Sequence, residues 1–336
     1  MPKEIVFRSN SKVELVGYEE EPLGTDQIRG STICSLVSQG TELAWLDGSD
    51  FPIRPGYGAV FQVEEMGSRV VNTELGQLRF CMGAHRSAQQ HQECHTLPLP
   101  SGLAAETAVI ARLMAVSVTT LMTTKARPGD KVVVTGSGPV GILAAHAFSV
   151  GGYDVSLVEP DPLRREQAAR SGISRTLEAM PLGDSKMRGQ VALVVECSGN
   201  ESAVLEGCRM VRQMGEVVVV GVPWRQMTEI SAHEILKEVF FNYVQLRSGW
   251  EWQVPILSRG FVWEELLEGY NNSPHSTFSG FARSMHWLAE GRVRLDGLIR
   301  KVEPGTPNEA YAAIRKRSIP EPFIVFDWLD GGKPDG

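Results

Sequence analysis

The sequence predicts an α/β protein in which a doubly wound parallel sheet is inserted into a β-rich domain built from both chain ends. Three observations predict it. Strand and helix signals alternate between Val132 and Leu246. Within that stretch a glycine-rich turn, Gly136-Ser137-Gly138-Pro139-Val140-Gly141, joins a β-branched run to a helix. Short strand signals broken by turn residues fill the first hundred residues and return at the end. The 336 residues suffice for two domains. They are placed at 1–111 plus 273–336 and at 112–272.

The elements follow in order. Glu4–Phe7 and Lys12–Val16 flank Ser9-Asn10-Ser11, a hairpin signal. Ile28–Leu36 and Ala59–Glu65 are further strand candidates, and Pro98, Pro100 and Gly102 close this part. Ala104–Thr123 is apolar at helical spacing and is stopped by Pro128-Gly129-Asp130. Val132–Thr135 is a continuous β-branched run, as a strand buried on both faces requires. Gly141–Val150 is helical and Asp154–Glu159 is the next strand. Asp161 caps a helix with Pro162 at its first position and Gly172 at its end. Ala192–Glu196, a helix after Asn200, Glu216–Val220, a capping box at Ser231 and Glu234, and Tyr243–Leu246 continue the alternation. Phe281–Leu288 is helical, a second capping box spans Thr306–Glu309, and Phe323–Trp328 is a closing strand.

Composition narrows the partners. The net charge is -7 and no basic stripe is present, which argues against nucleic acid. The charged start, Met1-Pro2-Lys3-Glu4, lacks the apolar stretch of a secretory signal. No apolar segment is expected to reach the ~20 residues that span a bilayer. Five scattered cysteines read as reduced thiols, so a cytoplasmic protein acting on a small molecule is expected.

The glycine turn carries specific chemistry. Gly136 allows a tight bend, Gly138 lets backbone approach a pyrophosphate, and Gly141 lets helix and strand pack closely. The helix N-terminus offers unpaired N–H groups to the phosphates. Ser137, Pro139 and Val140 complete the loop. Ser198, Gly199 and Gly221, just past two later strands, are further candidate contacts. Glu159 ends the second strand, where a carboxylate bonds ribose hydroxyls and repels a 2′-phosphate; NAD(H) is therefore expected over NADP. Arg164 and Arg165 follow closely and leave the alternative open. Trp224 falls at the carboxyl end of the sheet, where a nicotinamide would lie.

At this point the chain resembles the medium-chain dehydrogenase/reductase family, over nearly its whole length. Gln39-Gly40-Thr41-Glu42 is similar to the family's C-G-T-D segment. Arg54-Pro55-Gly56-Tyr57-Gly58 is similar to its P-G-H-E segment. Leu97–Pro100 and Arg127–Asp130 match its steps into the bridging helix and the nucleotide fold. The nearest branch holds bacteriochlorophyllide, threonine and polyol dehydrogenase-like proteins. The resemblance implies a Rossmann domain inserted into a GroES-like catalytic domain. It also shows departures. Where the family binds catalytic zinc this chain has Gln39, Tyr57 and Ala111, none a good ligand. Only Cys81 and Cys94 fall where a four-cysteine structural zinc lobe would lie, and their spacing is wrong. No metal is expected. The cluster His85, His91, Cys94 and His95 is the one arrangement that argues the other way.

Without zinc, hydrogen-bond donors or a general base must handle the hydroxyl proton. Thr41 matches the family's hydroxyl residue that contacts the substrate oxygen. Tyr57 brings a phenol to the place of a ligand histidine, either as a donor or as a packed aromatic. Glu42 orients Thr41 or Arg112 or acts as a base, and His85 is the nearby group that titrates near neutrality. Arg112 is expected to pair with Glu106, with a substrate anion as the alternative. Trp250, Trp252, Phe261, Trp263 and Tyr270 mark a dimer seam first, then a substrate wall or a plain core extension, so a homodimer is expected. The expected activity is NAD(H)-dependent interconversion of a secondary alcohol (polyol, sugar, cyclitol or hydroxyethyl side chain) and its ketone. A zinc-free quinone or enone reductase and a non-catalytic nucleotide-binding protein are the alternatives.

Overall fold

The computed structural model describes residues 1–258 and 275–329. Two units emerge, one of residues 1–112, 285–291 and 295–336, the other of residues 113–284 and 292–294. The expected first boundary at 111/112 differs by one residue. The second expected boundary, at 272/273, lies outside the described residues, and the helix after it groups with the nucleotide-type unit up to Ser284. The reason is packing: a Cβ on Gly280 would sit 3.6 Å from Ala115 and 3.7 Å from Val118.

The first unit opens with the predicted hairpin, β1 (Lys3–Ser9) against β2 (Lys12–Gly17). β3 (Gln27–Val37) runs into a short helix, α1 (Gln39–Leu46). β4 (Ala59–Met66), β5 (Leu78–Cys81), β6 (Ala88–Gln92) and β7 (Thr96–Pro98) follow. The expected single helix Ala104–Thr123 is two pieces, α2 (Ala105–Ala108) and α3 (Ala111–Thr123). Three-residue bonds from Ile110 N to Thr107 O and Arg112 N to Val109 O tighten the chain between them. Together Ala105–Thr123 is long and apolar enough, by length and composition, to cross a membrane, contrary to expectation. Yet 72% of that window is buried inside the protein, as in a core helix.

The second unit supplies β8 (Lys131–Thr135), α4 (Pro139–Val150), β9 (Asp154–Val158), α5 (Pro162–Arg170) and β10 (Thr176–Leu177). It continues with β11 (Val191–Glu196), α6 (Glu201–Met210), β12 (Val211–Val219), α7 (Ala232–Phe241) and β13 (Gln245–Ser248). These strands form a six-stranded sheet in the order β10-β9-β8-β11-β12-β13, every recorded pair parallel. Val133, Val194 and Val217 from three of them meet in one buried cluster, which is why their runs are β-branched without alternation. The order reverses between β8 and β11, the place where such sheets bind ligands.

The chain ends in α8 (Thr277–Ala289), β14 (Ile299–Val302), α9 (Pro307–Arg315) and β15 (Phe323–Asp327). β15 pairs antiparallel with β3 and parallel with β14, closing a sheet of seven strands in the first unit. Phe7, Val37, Leu46, Tyr311, Ile314 and Phe326 form its core with Trp328. The caps are partly as expected. Asp161 accepts from Leu163 N and Arg164 N, and Asn200 from Ser202 N. Neither capping box closes: Glu234 reaches Arg209 instead of its own cap, and Thr306 makes no side-chain cap bond.

Candidate functional site

The glycine-rich turn and the candidate cofactor residues around it lie in the second unit. Gly136 follows β8 at φ +82, a left-handed conformation that glycine adopts without penalty. A Cβ on Gly136 would meet Ser198 at 3.1–3.2 Å, and one on Gly141 would come within 1.8 Å of the Gly136 carbonyl oxygen. No larger residue fits at Gly141. A Cβ on Gly138 would meet nothing within 4 Å. The middle glycine therefore presents open backbone at the N-cap of α4, and Pro139 occupies the first helical turn, where no N–H is needed. These are the features a pyrophosphate requires, and the loop fits a dinucleotide. Val140 lies in the same first turn.

Glu159, 6% exposed, accepts from Ser137 N at 2.8 Å and Asp161 N at 3.0 Å. Its carboxylate is thus tied to the phosphate loop. Arg165 donates to the carbonyls of Glu159 and Pro160 at 2.7 and 2.6 Å. Ser198, Gly199 and Gly221 stand at the same carboxyl edge. Gly199 has φ +68, and a Cβ on Gly221 would lie 2.4 Å from Gly199 N, so both turns need glycine. Trp224 follows β12 and is half exposed.

Sequence reasoning missed Glu196 at the end of β11. It is fully buried. Its carboxylate accepts from the Ser198 hydroxyl, from Ser198 N at 2.6 Å, Gly199 N at 3.1 Å and the Thr135 hydroxyl at 3.2 Å. Burial raises its pKa, against the opposing pull of these donors. The available signal was a lone carboxylate closing the apolar strand run Ala192–Val195.

The proton-handling candidates lie in the first unit and separate into two groups. Thr41 and Tyr57 come together, with the Tyr57 hydroxyl donating to Thr41 Oγ1 at 3.4 Å, and both are only half-buried. The Arg112 guanidinium lies 4.6 Å from the Tyr57 ring centroid, and its Nε donates to the Tyr57 carbonyl at 3.0 Å. Burial raises the Tyr57 pKa, while bonds to Ser38 and Thr41 and the Arg112 charge pull it down.

Glu42 and His85 were expected beside them as base and titrating group. The structure corrects this: both are fully buried. Glu42 accepts from Tyr311 Oη at 2.5 Å and from Ser38 N at 2.8 Å, and lies 3.1 Å from His85 Nε2. The other His85 nitrogen lies 2.7 Å from Ser35 Oγ, which also accepts from Trp328 Nε1 at 2.9 Å. This network joins α1, α9, β3 and the residue that follows β15 inside the core. Burial and the Glu42 charge hold the Tyr311 phenol well above its ordinary range. Arg112 also departs from expectation, because Glu106 pairs with Lys301 at 3.0 Å.

The residues at the family's zinc positions do not fit the metal. Gln39 directs its amide to Pro322 O at 2.8 Å, Tyr57 is bound to Thr41, and Ala111 has no donor atom and is buried. Of the other histidine–cysteine cluster, His85 is in the core, His91 lies 3.2 Å from Gln89 Oε1, and Cys94 is exposed on a turn. Among the described residues no group of three or more His, Cys, Asp or Glu is gathered to hold a metal. Of the aromatic stretch, Trp250 and Trp252 are exposed; Phe261, Trp263 and Tyr270 lie outside the described residues.

Comparison with known proteins gives three kinds of likeness. Residues 139–252 match the zinc-binding dehydrogenase family. A putative D-xylulose reductase of Agrobacterium fabrum is 25% identical over 206 residues, 54% of this chain and 58% of that protein. A sorbitol dehydrogenase of Halalkalibacterium halodurans is 25% identical over 206 residues, 58% of this chain and 59% of that protein. The chain thus spans under two thirds of the length of the curated relatives it matches. In structure, galactitol-1-phosphate dehydrogenase from Escherichia coli superimposes with a TM-score of 0.80 at 15% identity, over 97% of this chain and 99% of that one. That likeness shows a shared fold.

Proposed function

As a member of the alcohol-dehydrogenase-like branch of the medium-chain dehydrogenase/reductase family, the chain is, we propose, an NAD(H)-dependent oxidoreductase that works without zinc. The substrate class is a secondary alcohol or its ketone: a polyol, a sugar, a cyclitol or a hydroxyethyl side chain. The observation that carries this reading is the strand–glycine–helix turn, with Gly138 open and Glu159 tied to its backbone. Polyol and sugar-alcohol names among the relatives support the substrate class.

Gly138, Pro139 and the first turn of α4 would hold the pyrophosphate, and Glu159 the adenine ribose. A bound nicotinamide supplies the hydride donor or acceptor. In the reductive direction Tyr57 Oη donates its proton to the carbonyl oxygen as the carbon is reduced. The phenolate, hydrogen-bonded by the Thr41 hydroxyl and stabilised by the Arg112 charge over the ring, takes a proton back from water. Oxidation of the alcohol reverses these transfers. A phenol held above its ordinary range by burial remains a donor at neutral pH, which suits this role.

Arg165 is committed to backbone carbonyls, which leaves the ribose carboxylate of Glu159 to select NAD. Among the described residues the Arg164 side chain makes no hydrogen bond or ion pair, and it stands on the side of NADP. A homodimer is supported by the outer edge of β13, unpaired among the described residues, and by the exposed Phe240, Phe241, Tyr243 and Trp250 that flank it in sequence. Five free cysteines suit a reducing compartment such as the cytoplasm.

The test is calorimetric titration with NADH and NADPH, then turnover on polyols, cyclitols, quinones and enones. Tighter NADH binding with polyol oxidation is expected, together with far less than one zinc per chain by elemental analysis. NADPH preference with quinone or enone turnover would replace this reading with the reductase alternative. Absence of binding to either nucleotide would end it.

A further inference from the structure

We propose that Glu196 is a positioning residue for the dinucleotide: its carboxylate clamps the 197–199 turn to the end of β8 and so holds the phosphate loop in its binding shape. The inference rests on the nucleotide reading above and adds a residue that the loop motif does not contain.

The geometry is that of a keystone. Glu196 stands on β11, beside β8, at the point where the strand order reverses. Register pairs it with Thr135, the last residue before Gly136, and the Thr135 hydroxyl donates to the carboxylate. Across the turn, two backbone N–H groups and the Ser198 hydroxyl donate to it as well. Ser198 in turn lies against Gly136, whose Cβ position is 3.1 Å from the Ser198 Cβ. On the other side the Glu196 carbonyl accepts from Val220 N at 2.8 Å and Gly221 N at 2.7 Å. One residue thus fixes the loop after β8, the turn after β11 and the exit of β12.

A fully buried carboxylate is costly to retain unless its bonds do something that a neutral side chain cannot. Here all the recorded partners of the carboxylate are donors. An anion accepts from all of them together, whereas a glutamine would turn an N–H₂ group toward N–H groups. Protonation would weaken the clamp in the same sense. The groups facing the carboxylate are Thr135 from β8 and Ser198, Gly199 and Cys197 from its own turn. Of these Cys197 titrates, and burial keeps its thiol neutral well above its ordinary range. Burial also raises the Glu196 pKa, so the anion is lost on acidification earlier than an ordinary carboxylate would lose it.

The experiment measures the NADH Kd by calorimetry from about pH 8 to about pH 5 for the intact chain and for Glu196→Gln, with circular dichroism to verify folding. The wild type is expected to bind more weakly as pH falls, with a midpoint above the ordinary carboxylate pKa of about 4.3. Glu196→Gln is expected to bind roughly tenfold more weakly at neutral pH, with no such acid dependence. A purely structural role would lower the melting temperature without removing the pH dependence. Thr135→Val strips one donor and keeps the question open to test if the glutamine variant does not fold. It should move the midpoint upward, because the lost bond favoured the anion. An unchanged Kd in Glu196→Gln, or an acid midpoint in it that matches the wild type's, overturns the positioning role while leaving the nucleotide reading intact. A wild type that binds no nucleotide overturns both.

Discussion

Two glycines of the phosphate loop separate packing from ligand binding, and replacing each by alanine tests the reading. At Gly141 the new Cβ would stand 1.8 Å from Gly136 O and 2.9 Å from Gly136 C, both backbone atoms that cannot rotate away. The first contact is more than an ångström short of the closest approach that real Cβ atoms show. Helix α4 must therefore back away from β8, and its buried face, Ile142 to Phe148, moves with it. Overpacking of this kind costs about 1–3 kcal/mol or more. The favourable helix propensity of alanine, about 1 kcal/mol, offsets part of that. At Gly138 the methyl meets nothing, and φ -71 with ψ -179 suits alanine. Losing a glycine N-cap and gaining a stiffer unfolded chain nearly cancel, so stability should stay within about 1 kcal/mol. The methyl would nevertheless occupy the face that a pyrophosphate must touch. Urea denaturation and NADH calorimetry together read both effects. Gly141→Ala should lose stability and affinity; Gly138→Ala should lose only affinity, by roughly 10- to 100-fold, or about 1.4–2.7 kcal/mol. If Gly138→Ala binds NADH as tightly as the wild type, the open glycine is not the phosphate face and the argument fails.

Glu159→Ala should weaken NADH more than NADPH, because a ribose acceptor and a source of repulsion disappear together; equal losses in two calorimetric titrations would mean the carboxylate does not select the nucleotide. Tyr57→Phe should lower kcat by about 10²- to 10⁴-fold with little loss of stability, since the ring and its packing are kept and the Thr41 bond is a long one at 3.4 Å; steady-state kinetics and thermal melting decide it, and unchanged kcat would return Tyr57 to mere packing. His146, buried beside Ser171, has its pKa pushed down to about 4 by burial. A depressed folded value means the stability it contributes is present above the unfolded pKa of about 6.5 and is lost as pH falls toward about 4. Urea unfolding of His146→Gln should show a shallower loss across that window than the wild type; parallel curves would mean that His146 protonates as readily in the folded protein as in the unfolded chain.

The order of elements was legible along the chain because its determinants are local. Periodicity marks which face is buried, Pro162 and Asp161 mark a helix start, and the spacing of Gly136, Gly138 and Gly141 has meaning only between a strand and a helix. The candidate nucleotide residues were legible for the same reason, since a single turn and the next strand end contain them. The arrangement of the candidate proton-handling residues was not. Glu42 and Thr41 are neighbours on α1, one with its side chain in the core and the other half-buried beside Tyr57, and a one-residue step on a helix turns a side chain by about 100°. Nothing local distinguishes them; what ties Glu42 into the core is Tyr311, which arrives 269 positions later. Glu196 was hidden in the same way, because its importance comes from Thr135, 61 residues upstream on a neighbouring strand. The sequence by itself determined which segments fold and how they alternate. Tertiary structure alone decided which polar side chains are satisfied inside the core and which stay available, because hydrogen-bond partners for buried charge come from chain segments far apart.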